Sequence, residues 1–144
     1  MVEVICAEDI ATLQSCLKMR ENVFVKEMNV PAEIERDEHD ILGGSCCHFL
    51  IKFGGKPAGA LRCMTDGTDA VLQRFCILKE YRTKGAGASA VAFVEEFLRS
   101  MGCKNIRLDA KHHACGFYEK CGYQKASDMF IEANVPHYKM IKEL

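Results

Sequence analysis

No run in this sequence comes near the ~20 consecutive apolar residues that a helix needs to cross a bilayer. Its first residues, Met1-Val2-Glu3-Val4-Ile5-Cys6, have neither the basic start nor the long apolar stretch of a secretory signal. These two absences predict a cytoplasmic protein with no membrane partner. An excess of one charge is missing too: 19 basic residues meet 20 acidic ones, for a net charge of −1. No global field draws the chain to nucleic acid, and no basic stripe with interleaved aromatics stands in for one. A charged ligand therefore needs a local patch. The nine cysteines include no C-x-x-C pair, and their number is odd. Most sit where small apolar residues would serve, and cytosolic thiols stay reduced, so neither a disulfide framework nor a zinc site is expected. Cys46-Cys47-His48 and His112-His113-x-Cys115 come nearest to a metal cluster, and no metal is predicted.

What is present is an ordinary globular composition, 49% hydrophobic and 27% charged over 144 residues. A chain of this length buries roughly 70% of its unfolded surface, enough for one core. With no repeat, low-complexity segment or linker, residues 1–144 are expected to form one domain. Val2 to Cys6 reads as a strand. A helix follows, with Asp9 as its N-cap and Ile10, Leu13, Leu17 and Phe24 near a 3.6-residue period. Asn29 to Asp40 is a polar loop with room for a helical turn. Cys46 to Phe53 and Pro57 to Thr65 flank Gly54-Gly55 as a hairpin, and Val71 to Leu78 adds a third strand. Gly85 to Met101 is an amphipathic helix closed by Gly102, and Asn105 to Asp109 a strand. Lys111 to Lys120 reads as a helix and Val135 to Ile141 as the last strand. This order predicts an α+β fold around one sheet.

The most informative segment is Leu78-Lys79-Glu80-Tyr81-Arg82-Thr83-Lys84-Gly85-Ala86-Gly87-Ala88-Ser89. It leaves a strand and opens a helix. Gly85 and Gly87 let backbone come close to a ligand, and the first helical N–H groups lack intrahelical partners. Together with the helix dipole and the charges of Arg82 and Lys84, they suit an anion such as a pyrophosphate. The nucleotide P-loop pattern is absent, and a dinucleotide fingerprint fails because Ala90 fills the third glycine position.

Arg82-x-x-Gly85-x-Gly87 resembles the pyrophosphate motif of the GNAT superfamily of acyl-CoA N-acyltransferases. About thirty residues on, Ala114-Cys115-Gly116-Phe117-Tyr118-Glu119-Lys120-Cys121-Gly122-Tyr123 is similar to a second segment of that superfamily. Arg20-x-x-Val23-Phe24-Val25-x-Glu27-x-x-Val30-Pro31, then Glu35, Asp37 and Asp40, resemble its YjcF-like bacterial subgroup, as does Phe130-Ile131-Glu132-Ala133-x-Val135-Pro136-His137-Tyr138-Lys139-Met140. Many relatives carry Asn where this chain has Lys111.

The resemblance implies a mixed, mostly antiparallel central sheet with helices on both faces. It also implies acetyl-CoA as co-substrate, a small-molecule primary amine as acceptor, and a homodimer as one option. The cofactor is then expected along Arg82, Thr83, Lys84, Gly85, Ala86, Gly87 and Ala88, with Lys111, Phe117 and Lys120 beside it. Backbone N–H groups of Cys76, Ile77 and Leu78 are expected to face the thioester oxygen. Tyr118 is the implied general acid, since a phenol with a pKa of about 10 stays protonated at neutral pH. An alkylamine near pKa 10.4 is neutral only about once in 2,500 at pH 7, so a base must help. Glu27, Glu35, Asp37, Asp40 and His137 are candidates, with Glu27 and Glu35 put first. Phe24, Asp37, His113 and His137 are expected against the acceptor. The acidic run from Glu35 to Asp40 reads equally well as a solvated loop. A protein or peptide N-acetyltransferase and a non-catalytic acyl-CoA sensor are the competing readings.

Overall fold

A computed structural model describes residues 1–144. Its strands are β1 (Val2–Cys6), β2 (Cys46–Phe53), β3 (Lys56–Asp66), β4 (Asp69–Ile77), β5 (Asn105–Lys111), β6 (Gln124–Lys125), β7 (Phe130–Glu132) and β8 (Val135–Glu143). They build one sheet in the order β1-β2-β3-β4-β5-β8-β6, with β7 also paired to β8. Every pairing is antiparallel except β4 with β5. Helix α1 (Ile10–Arg20) continues as a π-helical turn over Glu21–Glu27, and α2 (Ala32–Glu35) follows; α3 (Ala86–Ser100) and α4 (Cys115–Lys120) come later.

Side-chain alternation along the strands divides the core between the two faces of the sheet. Phe49, Ile51, Leu61 and Cys63 pack with Val91, Val94 and Leu98 of α3 and Tyr118 of α4. Their neighbours Leu50, Ala60 and Cys76 pack with Leu13, Cys16 and Leu17 of α1. The fold is thus α+β, mostly antiparallel, with helices on both faces.

Local signals explain most element ends. The Asp9 carboxylate accepts the Thr12 N–H at 2.7 Å and starts α1. Gly54 and Gly55, at φ 58° and 81°, make the tight hairpin turn that two positive-φ positions require. Three details depart from the sequence reading. Ile10 is 60% exposed rather than part of the apolar stripe. The segment from Lys111 to Lys120 is not one helix: Lys111 pairs with His137 and ends β5, a 3-10 turn spans His112–Ala114, and α4 begins at Cys115. The short strands β6 and β7 are additional.

Two irregularities create the site. Arg62 stands opposite Gln73 and Ala60 opposite Cys76, so β4 carries one extra residue against Leu61. Arg74 takes up this bulge with φ 54°. A bulge bends and twists its strand. The second irregularity lies ahead of the bulge, where β4 leaves β5: their parallel pairing is confined to Asp69–Val71 against Asn105–Arg107. A gap opens between the C-terminal halves of the two strands.

Candidate active site

The loop after β4 passes a 3-10 turn (Lys79–Tyr81) and reaches α3 through Thr83 at φ 62° and Gly85 at φ 82°. Gly85 is the N-cap of α3 and has no side chain to satisfy the helix start. The N–H groups of the first turn therefore stay available to a ligand. A Cβ on Gly87 would meet the Phe117 ring at 3.2 Å, so glycine lets that ring lie this close to the start of α3. In front of this helix end lies a cavity of about 760 Å³. Arg82, Thr83, Gly85, Gly87 and Ala88 line one end, and Phe24, Phe75, Cys76, Ile77, Phe117 and Tyr118 line the other.

At the gap, the hydrogen-bond alternation of β4 singles out one donor. Leu78 N–H turns to β3 and reaches Ala58 O at 2.7 Å. The preceding residue must face the opposite edge. The Ile77 carbonyl does so and accepts from Arg82 Nε at 2.9 Å. The Ile77 N–H accordingly points at the cavity, while the Leu78 N–H is committed to the sheet.

Tyr118 is 8% exposed and lines this cavity from α4. Burial pushes its phenol well above the usual tyrosine value, so it is a proton donor throughout the neutral range.

A second cavity of about 580 Å³ opens on the other side of the gap. The two share Phe24, Met28, Phe75, His113, Ala114 and Tyr118 as a common wall. Glu35, Arg74, Lys111, Asp109, Glu132 and His137 give the second cavity its polar groups. His137 is buried, stacked on Phe130 with ring centroids 5.8 Å apart, and its Nδ1 sits 2.7 Å from Val135 O.

The acidic segment is solvated only in part: Glu38 is exposed, while Glu35, Asp37 and Asp40 are held by arginines. Arg20, 1% exposed, donates through Nε to Glu35 Oε2 at 2.8 Å and through both terminal nitrogens to Asp40 at 2.6 and 2.9 Å. Arg62, 2% exposed, holds Asp37 with two bonds of 2.8 Å and reaches Asp40 at 2.9 Å. Hydrogen bonds from Arg62 keep the Asp37 carboxyl far below the usual aspartate range. Burial works against ionisation of Asp40, but hydrogen bonds from Arg20 and the Asp37 N–H outweigh it and keep its value low. Arg74 lies 3.5 Å from Glu35 and 3.6 Å from Asp37, closing the network above the second cavity.

The sequence-predicted residues thus divide. Phe24, Cys76, Ile77, Arg82, Thr83, Gly85, Gly87, Ala88, His113, Phe117 and Tyr118 line the first cavity; Glu35, Lys111 and His137 join Phe24, His113 and Tyr118 at the second. Asp37 is drawn off to Arg62. Glu27 lies outside both, bound to Arg82, whose hydrogen bonds lower its carboxyl value. Leu78 packs against the α1 side of the core, and Ala86 is buried. Lys84 lies over the Phe53 ring and Lys120 is exposed. Both proposed carboxylate bases carry arginine partners, Glu27 in Arg82 and Glu35 in Arg20. Sequence reading missed Met28, Phe75, Arg74 and Glu132. Met28 follows the expected α1 periodicity by one turn from Phe24, a usable signal. Arg74 enters through the bulge, which no local pattern announces. No group of three or more His, Cys, Asp or Glu side chains is placed to hold a metal, all nine cysteines are free, and no helix is long and apolar enough to cross a membrane.

Comparison with known proteins bears on this geometry. The model of the acetyltransferase (GNAT) family matches residues 13–123. YyaT of Bacillus subtilis (strain 168), an uncharacterised protein, is 40% identical over 134 residues, covering 93% of this chain and 90% of YyaT. YjcF of the same organism, an uncharacterised N-acetyltransferase, is 35% identical over 143 residues, covering 99% of this chain and 100% of YjcF. Among solved structures, Escherichia coli ElaA shares the fold with a TM-score of 0.86 at 24% identity, covering 99% of this chain and 100% of ElaA.

Proposed function

Because the chain belongs to the acetyltransferase (GNAT) family and is an acyl-CoA-dependent N-acyltransferase, we propose that it transfers the acetyl group of acetyl-CoA to a primary amine of a small molecule by direct attack. The observation that carries this reading is the pair of cavities meeting at one wall, Phe24, Phe75, His113 and Tyr118. A transfer without a covalent enzyme intermediate needs two ligands whose reacting atoms touch, and two cavities that meet at one wall provide for that.

In this reading the α3 N-terminus and the Arg82–Ala88 loop take the pyrophosphate, with Lys84 and Lys120 contributing charge around it, while Lys111 faces the acceptor side. The pantetheine arm follows Phe117 and Phe75 to the gap. The Ile77 N–H donates to the thioester oxygen and gains strength as that oxygen becomes an alkoxide. Tyr118 gives its proton to the departing thiolate. The second cavity, about 580 Å³, falls in the size range of small-ligand sites and supports a small acceptor over an extended peptide.

The test is release of free thiol from acetyl-CoA across a panel of diamines, aminosugars and amino-acid amines, beside lysine-containing peptides. Turnover with a small amine supports the proposal. Turnover confined to peptides moves the acceptor to protein, and none anywhere sinks the enzyme reading.

A further inference from the structure

Acetylation of an alkylamine needs a proton acceptor, and the carboxylates near the gap are engaged. Glu27 is held by Arg82, Glu35 and Asp40 by Arg20, and Asp37 by Arg62. His137 differs. Its ring lines the acceptor cavity, and its Nδ1, 2.7 Å from the Val135 carbonyl, must carry a proton, because a carbonyl can only accept. In the neutral ring this fixes the tautomer and leaves Nε2 with the lone pair. The Glu132 Oε2 lies 3.7 Å from Nε2, too far for a direct hydrogen bond. Two acceptors therefore face one another at the cavity, and no protein group donates to either.

Resting on the acetyl-transfer reading above, we infer that His137 is the general base of the reaction and that His137 Nε2 and Glu132 Oε2 together receive the substrate ammonium. An ammonium has three N–H donors and can address both acceptors at once. One proton passes to Nε2, and Glu132 stabilises the resulting imidazolium. The neutral amine then forms the C–N bond at the thioester carbon. As the C–S bond breaks, Tyr118 protonates the thiolate. The new ammonium loses its second proton to the Tyr118 phenolate, and His137 returns its proton to solvent. The products are amide, free CoA and one proton.

The charged groups that face His137 come from several elements. β7 contributes Glu132, and β5 places Lys111 directly opposite His137. Across the cavity stand Asp109, Glu35, Arg74 and His113. Asp109 is bonded to Lys139 and Glu35 to Arg20, while Lys111 Nζ lies 3.6 Å from the Met28 sulfur. Glu132 is the only one of these carboxylates without a lysine or arginine partner, and it is the one beside His137.

Two acceptors test this: butane-1,4-diamine, which is protonated at neutral pH, and methoxyamine, which is already neutral there. In His137→Asn, whose amide can still donate to Val135 O, kcat with the diamine should fall by about 10² or more. With methoxyamine the loss should be less than about threefold, and the acetyl-CoA-dependent rise in melting temperature should stay. Glu132→Gln, on a side chain 58% exposed, should show the same split on a smaller scale and keeps the test alive should His137→Asn fail to fold. Wild-type turnover with the diamine in His137→Asn, or equal losses on both acceptors, overturns the assignment while leaving acetyl transfer intact. Silence of the wild type towards both amines and the wider panel is a different failure: the acetyl-transfer reading falls, and the inference with it.

Discussion

Arg82 grips Glu27 with two hydrogen bonds of 2.7 Å each, and its Nε–H is spent on the Ile77 carbonyl. One side chain thus joins the phosphate loop, the end of β4 and the π-helical turn that follows α1. The Arg82 guanidinium, expected at the cofactor's pyrophosphate, is thereby engaged by a carboxylate of this chain.

This makes Glu27 a competitor of the cofactor. Replacing it with Gln should leave the fold intact, since exposed ion pairs add little to stability, and should tighten acetyl-CoA binding by roughly two- to fivefold. Calorimetric titration of Glu27→Gln against wild type reads this directly. A weaker affinity would mean that the pair orients Arg82 rather than occupying it.

The Arg20–Arg62 network predicts an acid-labile protein. Asp37 and Asp40 have folded values below their unfolded ones. Their contribution is therefore complete above the unfolded aspartate value of about 3.9 and disappears as pH falls through the folded values. Melting temperature should be flat from neutral pH to about pH 5 and drop below about pH 4. Arg62→Ala leaves Asp37 without its two-bond partner and takes one of the two arginines from Asp40, and should cost about 3 kcal/mol, measured by urea unfolding.

Gly59 tests the geometry at the end of β4. A Cβ there would overlap the Cys76 carbonyl oxygen, so β3 and β4 must separate to admit one. Gly59→Ala should lower stability by about 2 kcal/mol or more and, by moving Ile77, reduce kcat beyond what a stability loss alone would cause. Unchanged kcat in the folded variant would remove Ile77 from the oxyanion role.

The elements that sequence revealed are those written in local chemistry. Gly54-Gly55, Asp9, Gly102 and the loop from Arg82 to Gly87 each carry their instruction within a few residues. The acceptor side was less legible, because its determinants are tertiary. Asp40 finds Arg62 across 22 positions, and Asp37 finds it across 25. A run of acidic residues looks the same whether it is solvated or clamped. Lys111 reads as helical in the sequence because nothing nearby forbids it; β8 makes it strand by pairing it with His137. The end of the β4–β5 pairing at Val71, which opens the gap, and the bulge at Arg74 have no local signature at all.

Tyr118 carries a prediction in pH. Since burial raises its phenol value, the basic limb of the kcat profile should not appear below about pH 10. Tyr118→Phe should lower kcat by about 10²-fold while leaving acetyl-CoA affinity within about twofold. Full activity in Tyr118→Phe would assign thiolate protonation to water.

The claim beneath all of these is that the cavity before α3 is the acyl-CoA site. Thermal melting with acetyl-CoA, with ATP as a control for generic phosphate binding, tests it most directly. At 100 times its dissociation constant the cofactor should add ~2.7 kcal/mol and raise the melting temperature by several degrees, and ATP should add far less. No shift at millimolar acetyl-CoA, or an equal shift with ATP, would contradict it.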